Sequence, residues 1–313
     1  MEGKLNQLVE QKYLYIGFVA TVLVILPWVL NEYWVHVFVA SFYYMLLALS
    51  WGFLAGKVGI FSLGIHALAG LSAYTSALSI TYFQLPLYMS MPLGVATAVA
   101  LSFMLAAITL KMRGIYLALT TWAFAEISRI AISVEYEITR GDLGLQTQTL
   151  FGLRFLTPYY YLFAGVVIGT VIFLYWLSRS RIGYLMWACG QDPILSSSIG
   201  IDVYKWRVVA TIISGIIAGV AGVLFGHYVG VLAPSILGFQ EMATVIMMVI
   251  VGGYGTLLGP VIGALLMETL MEGFRIYREW RLVIFAVAVI LIMRFYREGI
   301  VKVLQKYTQL KIF

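Results

Sequence analysis

The sequence predicts an all-α fold, a polytopic bundle of transmembrane helices, on three observations. Hydrophobic residues make up 62% of the 313-residue chain and charged residues only 11%, with a mean hydropathy of +0.95. A soluble globule of that composition would expose more apolar surface than water tolerates, so the bilayer is the solvent. The apolar residues collect into runs of the length that crosses a hydrocarbon core, about 17 to 25 residues. Lys and Arg, in turn, gather in particular loops between those runs, as membrane topology requires.

The runs fall at 14–30, 33–54, 64–83, 87–110, 115–134, 159–178, 206–228, 242–258, 259–276 and 281–296, about ten membrane segments in a single domain over 1–313. The N-terminal MEGKLNQLVEQKY carries both charge signs and no small-residue cleavage site, so the first run reads as retained. The loop with Arg179, Arg181, Lys205 and Arg207 is expected on the cytoplasmic side. Alternation then brings Lys111, Arg113, Arg294, Arg297, Lys302, Lys306 and Lys311 to that side, with both termini, and places Glu135, Glu137, Arg140 and Asp142 outside. Arg275, Arg278 and Arg281 would also be external. A broken helix, a displaced span or neutralisation by Glu268, Glu272 and Glu279 would each account for them.

Several function classes drop out. The lone Cys189 permits no internal disulfide and no thiolate metal cluster, and reads as a small apolar filler. No phosphate-binding Gly-x-x-x-x-Gly-Lys-Ser/Thr occurs, so the chain is not expected to hold ATP by that route. His36, His66 and His227 are scattered, with no metal-ligand spacing and no hydrolase triad order. No cofactor is expected, and the net charge of +6 reads as loop bias rather than as a nucleic-acid surface.

Two Gly-rich breaks interrupt the apolar pattern, GKVGIFSLG (56–64) and GGYGTLLGP (252–260). Unwound backbone at membrane depth persists only when buried in protein or lining a wet cavity, because lipid satisfies no free N–H or C=O. The breaks therefore mark either a solute path, with Ser62, His66, Gly253 and Gly255 as candidates, or close helix packing through glycine. Their similar flanks also suggest an internal repeat. Inside the span at 115–134, Glu126 and Arg129 lie three residues apart on one helical face and are placed to pair. They form a polar lining, together with Thr120 and Thr121 deeper in the helix, or a structural ion pair near its outer end.

Residues 179–207, RSRIGYLMWACGQDPILSSSIGIDVYKWR, set a polar stretch between two apolar runs. Asp192 followed by Pro193 is a helix start, Gly200 is a stop, and Asp202 caps the next membrane helix. The pattern predicts a short helix over 193–199, outside the bilayer, with Ile194, Leu195 and Ile199 free to face a partner. Such a platform either receives force from a separate ATPase or lies as an amphipathic loop on lipid.

That stretch, with LFGHYVGVLAPS (224–235) and VIVGGYGTLLGPVIGA (249–264), resembles the branched-chain amino acid ABC transporter permease family, LivM-type. SLGIHALAGLSAY (62–74), RGIYLALTTWAFAEISRI (113–130), TRGDLGL (139–145) and RFYREGI (294–300) extend the likeness in order over nearly the whole chain. The resemblance implies a permease subunit in membrane lipid, paired with a homologous second permease, two cytoplasmic ATPase subunits and an extracytoplasmic solute-binding protein. It also implies that the 179–203 loop couples to the ATPases, with Arg179, Gly183, Asp192, Ile194, Leu195, Ile199 and Gly200 as coupling residues.

The chain departs from the family at Ile65, where a His is common, at Arg140 inside Thr-Gly-Gly, at Gly190 and at Ser196 to Ser198. Because the family includes urea and other small-solute permeases, these departures bear on which solute is carried. The expected activity is inward movement of a small polar solute, a branched-chain or other amino acid, with ATP hydrolysed on separate subunits and no enzymatic activity in this chain. The competing class is a secondary transporter or channel acting alone, for which only Glu126 is a titratable group deep in a span.

Overall fold

The computed structural model describes residues 21, 23–109, 111, 112, 114–152 and 156–275, together with 283, 286, 287, 290, 294 and 299–301. Its long helices are α1 (Glu32–Val58), α2 (Ile65–Phe83), α3 (Leu87–Thr109), α4 (Ile115–Val134), α6 (Leu156–Arg179) and α9 (Val203–Val229). Shorter ones are α5 (Tyr136–Thr139), α7 (Arg181–Gln191), α8 (Pro193–Ser198), α10 (Phe239–Gly253) and α11 (Gly259–Gly273). Strands β1 (Leu145–Gln146) and β2 (Val231–Leu232) pair antiparallel, Leu145 opposite Leu232.

Among the described residues, α1, α3, α4, α6 and α9 are long and apolar enough to cross a membrane. The chain is thus a helical, multi-pass membrane protein. The expected span at 281–296 lies largely outside the described residues and that at 14–30 in part, and Arg113, Arg278, Glu279, Arg281, Arg297, Lys302, Lys306 and Lys311 lie outside them. The apolar run expected at 242–258 folds as α10 over Phe239–Gly253, starting and stopping earlier, because glycine brackets it at Gly238 and Gly253. Arg275 pairs with Glu272 at 2.8 Å, so neutralisation accounts for that cation.

Burial sorts the helices into a centre and a shell. Helix α1 is 83% buried in its most apolar window and is hydrophobic on all sides, as a helix surrounded by others must be. Asn31 caps it, its side chain accepting the Trp34 amide at 3.1 Å. Helix α4 is only 22% buried and turns a broad apolar face outward, where lipid or another subunit is its solvent. Small residues let α9 approach its neighbours closely: Gly222 rests on the Ala69 backbone of α2, and Gly219 on Ala98 of α3. Aromatic rings fill the wider gap between α1, α6 and α9, where Tyr43 stacks on Phe225 at 3.9 Å and Tyr159 meets Tyr228 edge-on at 4.9 Å.

The two ends of the bundle differ. At one end, Tyr82 donates to the carbonyls of Glu137 and Ile138, and the β1–β2 pair closes over α2. At the other, Gly190 of α7 packs against Val58 and the Lys57 carbonyl at the end of α1, and Gly56 packs against Gly255.

Candidate functional sites

The first Gly-rich break is an ordered, internally satisfied segment. Trp51 Nε1 donates to the Ser62 carbonyl at 2.8 Å, the buried Ser62 hydroxyl accepts the Gly64 amide at 3.3 Å, and Thr121 of α4 accepts the Leu63 amide at 2.9 Å. Helix α2 then begins at Ile65 behind Gly64, which offers no side chain to cap it. The amides of Ile65, His66 and Ala67 find no acceptor among the described residues. His66 is 1% exposed, and its Nε2 lies 2.8 Å from the Leu237 carbonyl. A carbonyl only accepts, so Nε2 carries the proton and Nδ1 is left as an acceptor. That Nδ1 has no partner among the described residues.

Leu237 reaches this depth by a return of the chain into the bundle. Tyr74 donates to the Leu232 carbonyl at 3.0 Å, Gly70 faces Ile236 and Leu237, and His66 meets Leu237. The segment from β2 through the 3-10 turn Pro234–Leu237 therefore descends along α2 from Tyr74 to His66, about 12 Å at the helical rise. Helix α10 begins there, behind Gly238, again with no side-chain cap and with no acceptor for the Phe239 and Gln240 amides among the described residues. Its first turn is fixed to the middle of α1, where Tyr44 donates to Glu241 Oε2 at 2.8 Å, and to α4 through the edge-on contact of Trp122 with Phe239 at 5.8 Å. The buried start of α2 and the partly exposed start of α10 are thus joined through one histidine, His66 bonding Leu237 two residues before α10.

The other sequence candidates separate. Thr120 bonds the Tyr116 carbonyl of its own helix at 2.8 Å, on a different face from the buried Thr121. Arg129 and Glu126 pair at 2.5 Å, each about one third exposed (34% and 32%). Arg129 stands five residues from Val134, about 7.5 Å of rise, so the pair lies in the half of α4 nearer the β1–β2 end of the bundle. Gly253 and Gly255, at φ 132° and 78°, form the tight connection from α10 to α11 at the Lys57 end of the bundle. They share no surface with His66. Instead Gly255 lines a small cavity of about 150 Å³ with Lys57, Ser178 and Arg179.

The polar stretch is two helices rather than a loop with one. Ser180 accepts the Gly183 amide at 3.1 Å and starts α7, a helix beyond the one expected at 193–199. A Cβ at Gly183 would run into the Leu177 carbonyl and Ser178, so glycine permits the sharp turn from α6. Arg179 lies over the Tyr175 ring, 4.5 Å from its centroid. Asp192 Oδ1 accepts the amides of Ile194 and Leu195 at 2.9 and 3.0 Å, and Pro193 takes the first helical position of α8. Ile199 closes α8 as its C-cap, one residue short of the expected range, and Gly200 follows at φ +84°. Ile194, Leu195 and Ile199 are 69%, 62% and 69% exposed. Asp202 then accepts the Lys205 amide at 3.0 Å to start α9. Behind α8 lies a cleft of about 570 Å³ reaching Gly59, Lys111, Asp192 and Arg207.

Leu237, Trp122, Phe239 and the Tyr44–Glu241 contact escaped the sequence reading. Each depends on segments far apart in the chain, and only the Gly238-Phe239 step gave a local hint of a helix start.

Apolar crossing helices, a helix start buried inside the bundle and a capped helix with an exposed apolar face at one end describe a membrane transport protein that works with other subunits. Residues 33–293 match the family described as branched-chain amino acid transport system / permease component, and the chain belongs to that family. It is 27% identical to the high-affinity branched-chain amino acid transport system permease protein LivM of Escherichia coli (strain K12), over 91% of this chain and 74% of that protein. The LivM protein of Salmonella typhimurium is 28% identical over 97% of this chain and 78% of its own length. An uncharacterised Mycoplasma genitalium protein is 26% identical over 58% of this chain and 63% of that one. No solved structure matches the chain.

Proposed function

We propose that this chain is a permease subunit of an ATP-binding-cassette importer that carries branched-chain amino acids inward across the cytoplasmic membrane. Its partners are a homologous permease, two cytoplasmic ATPase subunits and an extracytoplasmic solute-binding protein, and the whole chain acts as one permease domain. The observation that carries this reading is α8: a short helix capped at Asp192, stopped at Gly200 and exposing Ile194, Leu195 and Ile199 beyond the membrane helices. A helix this short is fixed mainly by what it packs against, and its apolar face suits a groove on a partner.

The charges support the orientation. Lys57, Lys111, Arg179, Arg181, Lys205 and Arg207 cluster at the α8 end, while Glu135, Glu137 and Asp142 with Arg140 lie at the other, which supports a cytoplasmic α8 end, and alternation of the expected spans then carries both termini to that side. The solute path runs by Ser62, His66 and Thr121 at the start of α2, and ATP is hydrolysed on the partners. The test is co-expression of the chain with its candidate partners, co-purification of the ATPases and ATP-dependent leucine uptake in vesicles supplied with the binding protein. Co-purification and uptake are expected. Uptake by this chain alone, with no ATPase bound, overturns the assignment in favour of a secondary transporter.

A further inference from the structure

The junction of α2 and α10 brings the first-turn amides of two helices together with a buried histidine. Five amides, those of Ile65, His66, Ala67, Phe239 and Gln240, lack an acceptor among the described residues, and both helix starts lack a capping side chain. The first turns of two helices also direct the positive ends of their dipoles here. A helix start alone is satisfied by water or a cap and says nothing of a ligand. His66 is the independent observation. Its ring is fully buried, anchored through Nε2 to Leu237, and its Nδ1 is an acceptor without a donor among the described residues. Nδ1 adjoins the ring carbon that carries Cβ, so it sits on the α2 side of the ring, beside that helix's first turn. An unmade hydrogen bond at a buried acceptor is costly and calls for a missing partner.

A single partner that satisfies both brings an acceptor for the amides and a hydrogen-bond donor for the histidine, and helix starts favour an acceptor that is anionic. Lipid tails supply neither. A free α-amino acid carries both on one carbon, and the partly exposed Trp122 and Phe239 rings offer an apolar surface for the side chain beyond it.

We infer that the facing starts of α2 and α10 form the zwitterion-recognition site of the permease, with the helix-start amides taking the solute carboxylate and His66 Nδ1 accepting a hydrogen bond from its ammonium. This rests on the permease reading above and assigns to His66 a specificity role that only a neutral, Nε2-protonated ring fulfils. A second protein contact to Nδ1 would remove the site. The Ser76 hydroxyl occupies the corresponding free nitrogen of His227, bonding its Nε2 at 2.8 Å while Nδ1 donates to the Gln148 carbonyl at 2.6 Å, so that histidine is wholly engaged in the fold.

The experiment is equilibrium binding of radiolabelled leucine to the purified permease–ATPase complex without the solute-binding protein, so that only the permease site is read. Two competitors each lack one group: the oxo acid analogue keeps the carboxylate and loses the ammonium, and the decarboxylated amine does the reverse. Against the wild-type complex each should compete about tenfold or more less well than leucine, the range of a charge-assisted hydrogen bond. His66→Phe should weaken leucine binding by about tenfold to a hundredfold and leave the oxo acid unchanged, because the lost acceptor served only the ammonium. His66→Gln, which keeps an acceptor and a donor, should recover part of the loss. A merely structural role for His66 would weaken leucine and the oxo acid alike, and that result overturns the inference. If His66→Phe fails to assemble, the wild-type series decides: oxo acid competing as well as leucine also overturns it. A complex that assembles with ATPases and takes up leucine, yet binds none at this site, defeats the inference and leaves the permease reading intact. Loss of ATPase co-purification and uptake defeats the permease reading itself.

Discussion

The Thr121 hydroxyl accepts the Leu63 amide at 2.9 Å, from the middle of α4 to the break before α2. The same hydroxyl donates within its own helix, to the carbonyls of Leu117 and Ala118. It thus satisfies an amide that has left α1 and not yet joined α2, at a depth where water is scarce. Thr121→Val keeps the shape and removes the acceptor, so the Leu63 amide is left bare at a cost of about 1 to 3 kcal/mol. Thr121→Ser should hold close to wild type. Thermal unfolding of the purified complex in detergent checks both, and a Val variant as stable as wild type would remove this bond from the account.

How much of this was legible in the sequence follows the range of each signal. Helix α4 lies at 115–134 in both, because its apolar run and the glycine before it are contiguous. Helix α8 was legible for the same reason: Asp192, Pro193 and Gly200 are local instructions that act within two turns. Helix α7, which buries Gly183, Met186 and Cys189 at helical spacing, is short and follows α6 directly after Ser180, so no long apolar run marks it off from the polar stretch. The solute junction was hidden almost wholly. His66 and Leu237 are 171 residues apart, Tyr44 and Glu241 are 197 apart, and no pattern in either segment announces the other. For both Gly-rich breaks the sequence leaves a solute path and close glycine packing as alternatives. In the structure the first meets α10's start deep in the bundle, whereas the second makes a hairpin at its end.

Glu126 and Arg129 form a pair partway along a helix whose outward face is apolar. One charge without the other costs about 2.5 to 3.5 kcal/mol on insertion scales, and removal of both avoids most of that. Glu126→Gln or Arg129→Met alone should cut assembly severalfold, and the double variant should recover most of it. The yield of co-purified complex is the measurement. A double variant no better than the singles would mean that the charges act on something other than each other.

Cys189 is fully buried in α7, and burial pushes its thiol above the ordinary range, with the nearby Arg207 guanidinium opposing the shift. The thiolate is the reactive form, so at neutral pH the group is protonated as well as shielded. A maleimide should label the folded complex at pH 7 at least tenfold more slowly than the detergent-unfolded chain, and labelling should rise only as pH climbs toward the raised pKa. Fast labelling at neutral pH would show that α7 opens away from the end of α1, against which Gly190 packs.

The exposed face of α8 makes the most direct claim on the proposed mechanism. Ile194, Leu195 and Ile199 are apolar, largely exposed and held in place by a cap at Asp192 and a left-handed residue at Gly200. Leu195→Asp with Ile199→Asp replaces that face with charge, while membrane insertion and pairing with the sister permease depend on other surfaces. ATPase capture should fall by about tenfold or more, the loss expected when two apolar anchors of a small interface are removed, and leucine uptake should fall with it. Gly200→Val should be milder, because it strains the turn at φ +84° without removing the contact face. Pull-down of the ATPases beside vesicle uptake separates these effects. Full capture and full uptake by the double Asp variant would make α8 an ordinary surface helix and move the coupling surface elsewhere on the α6–α9 connection.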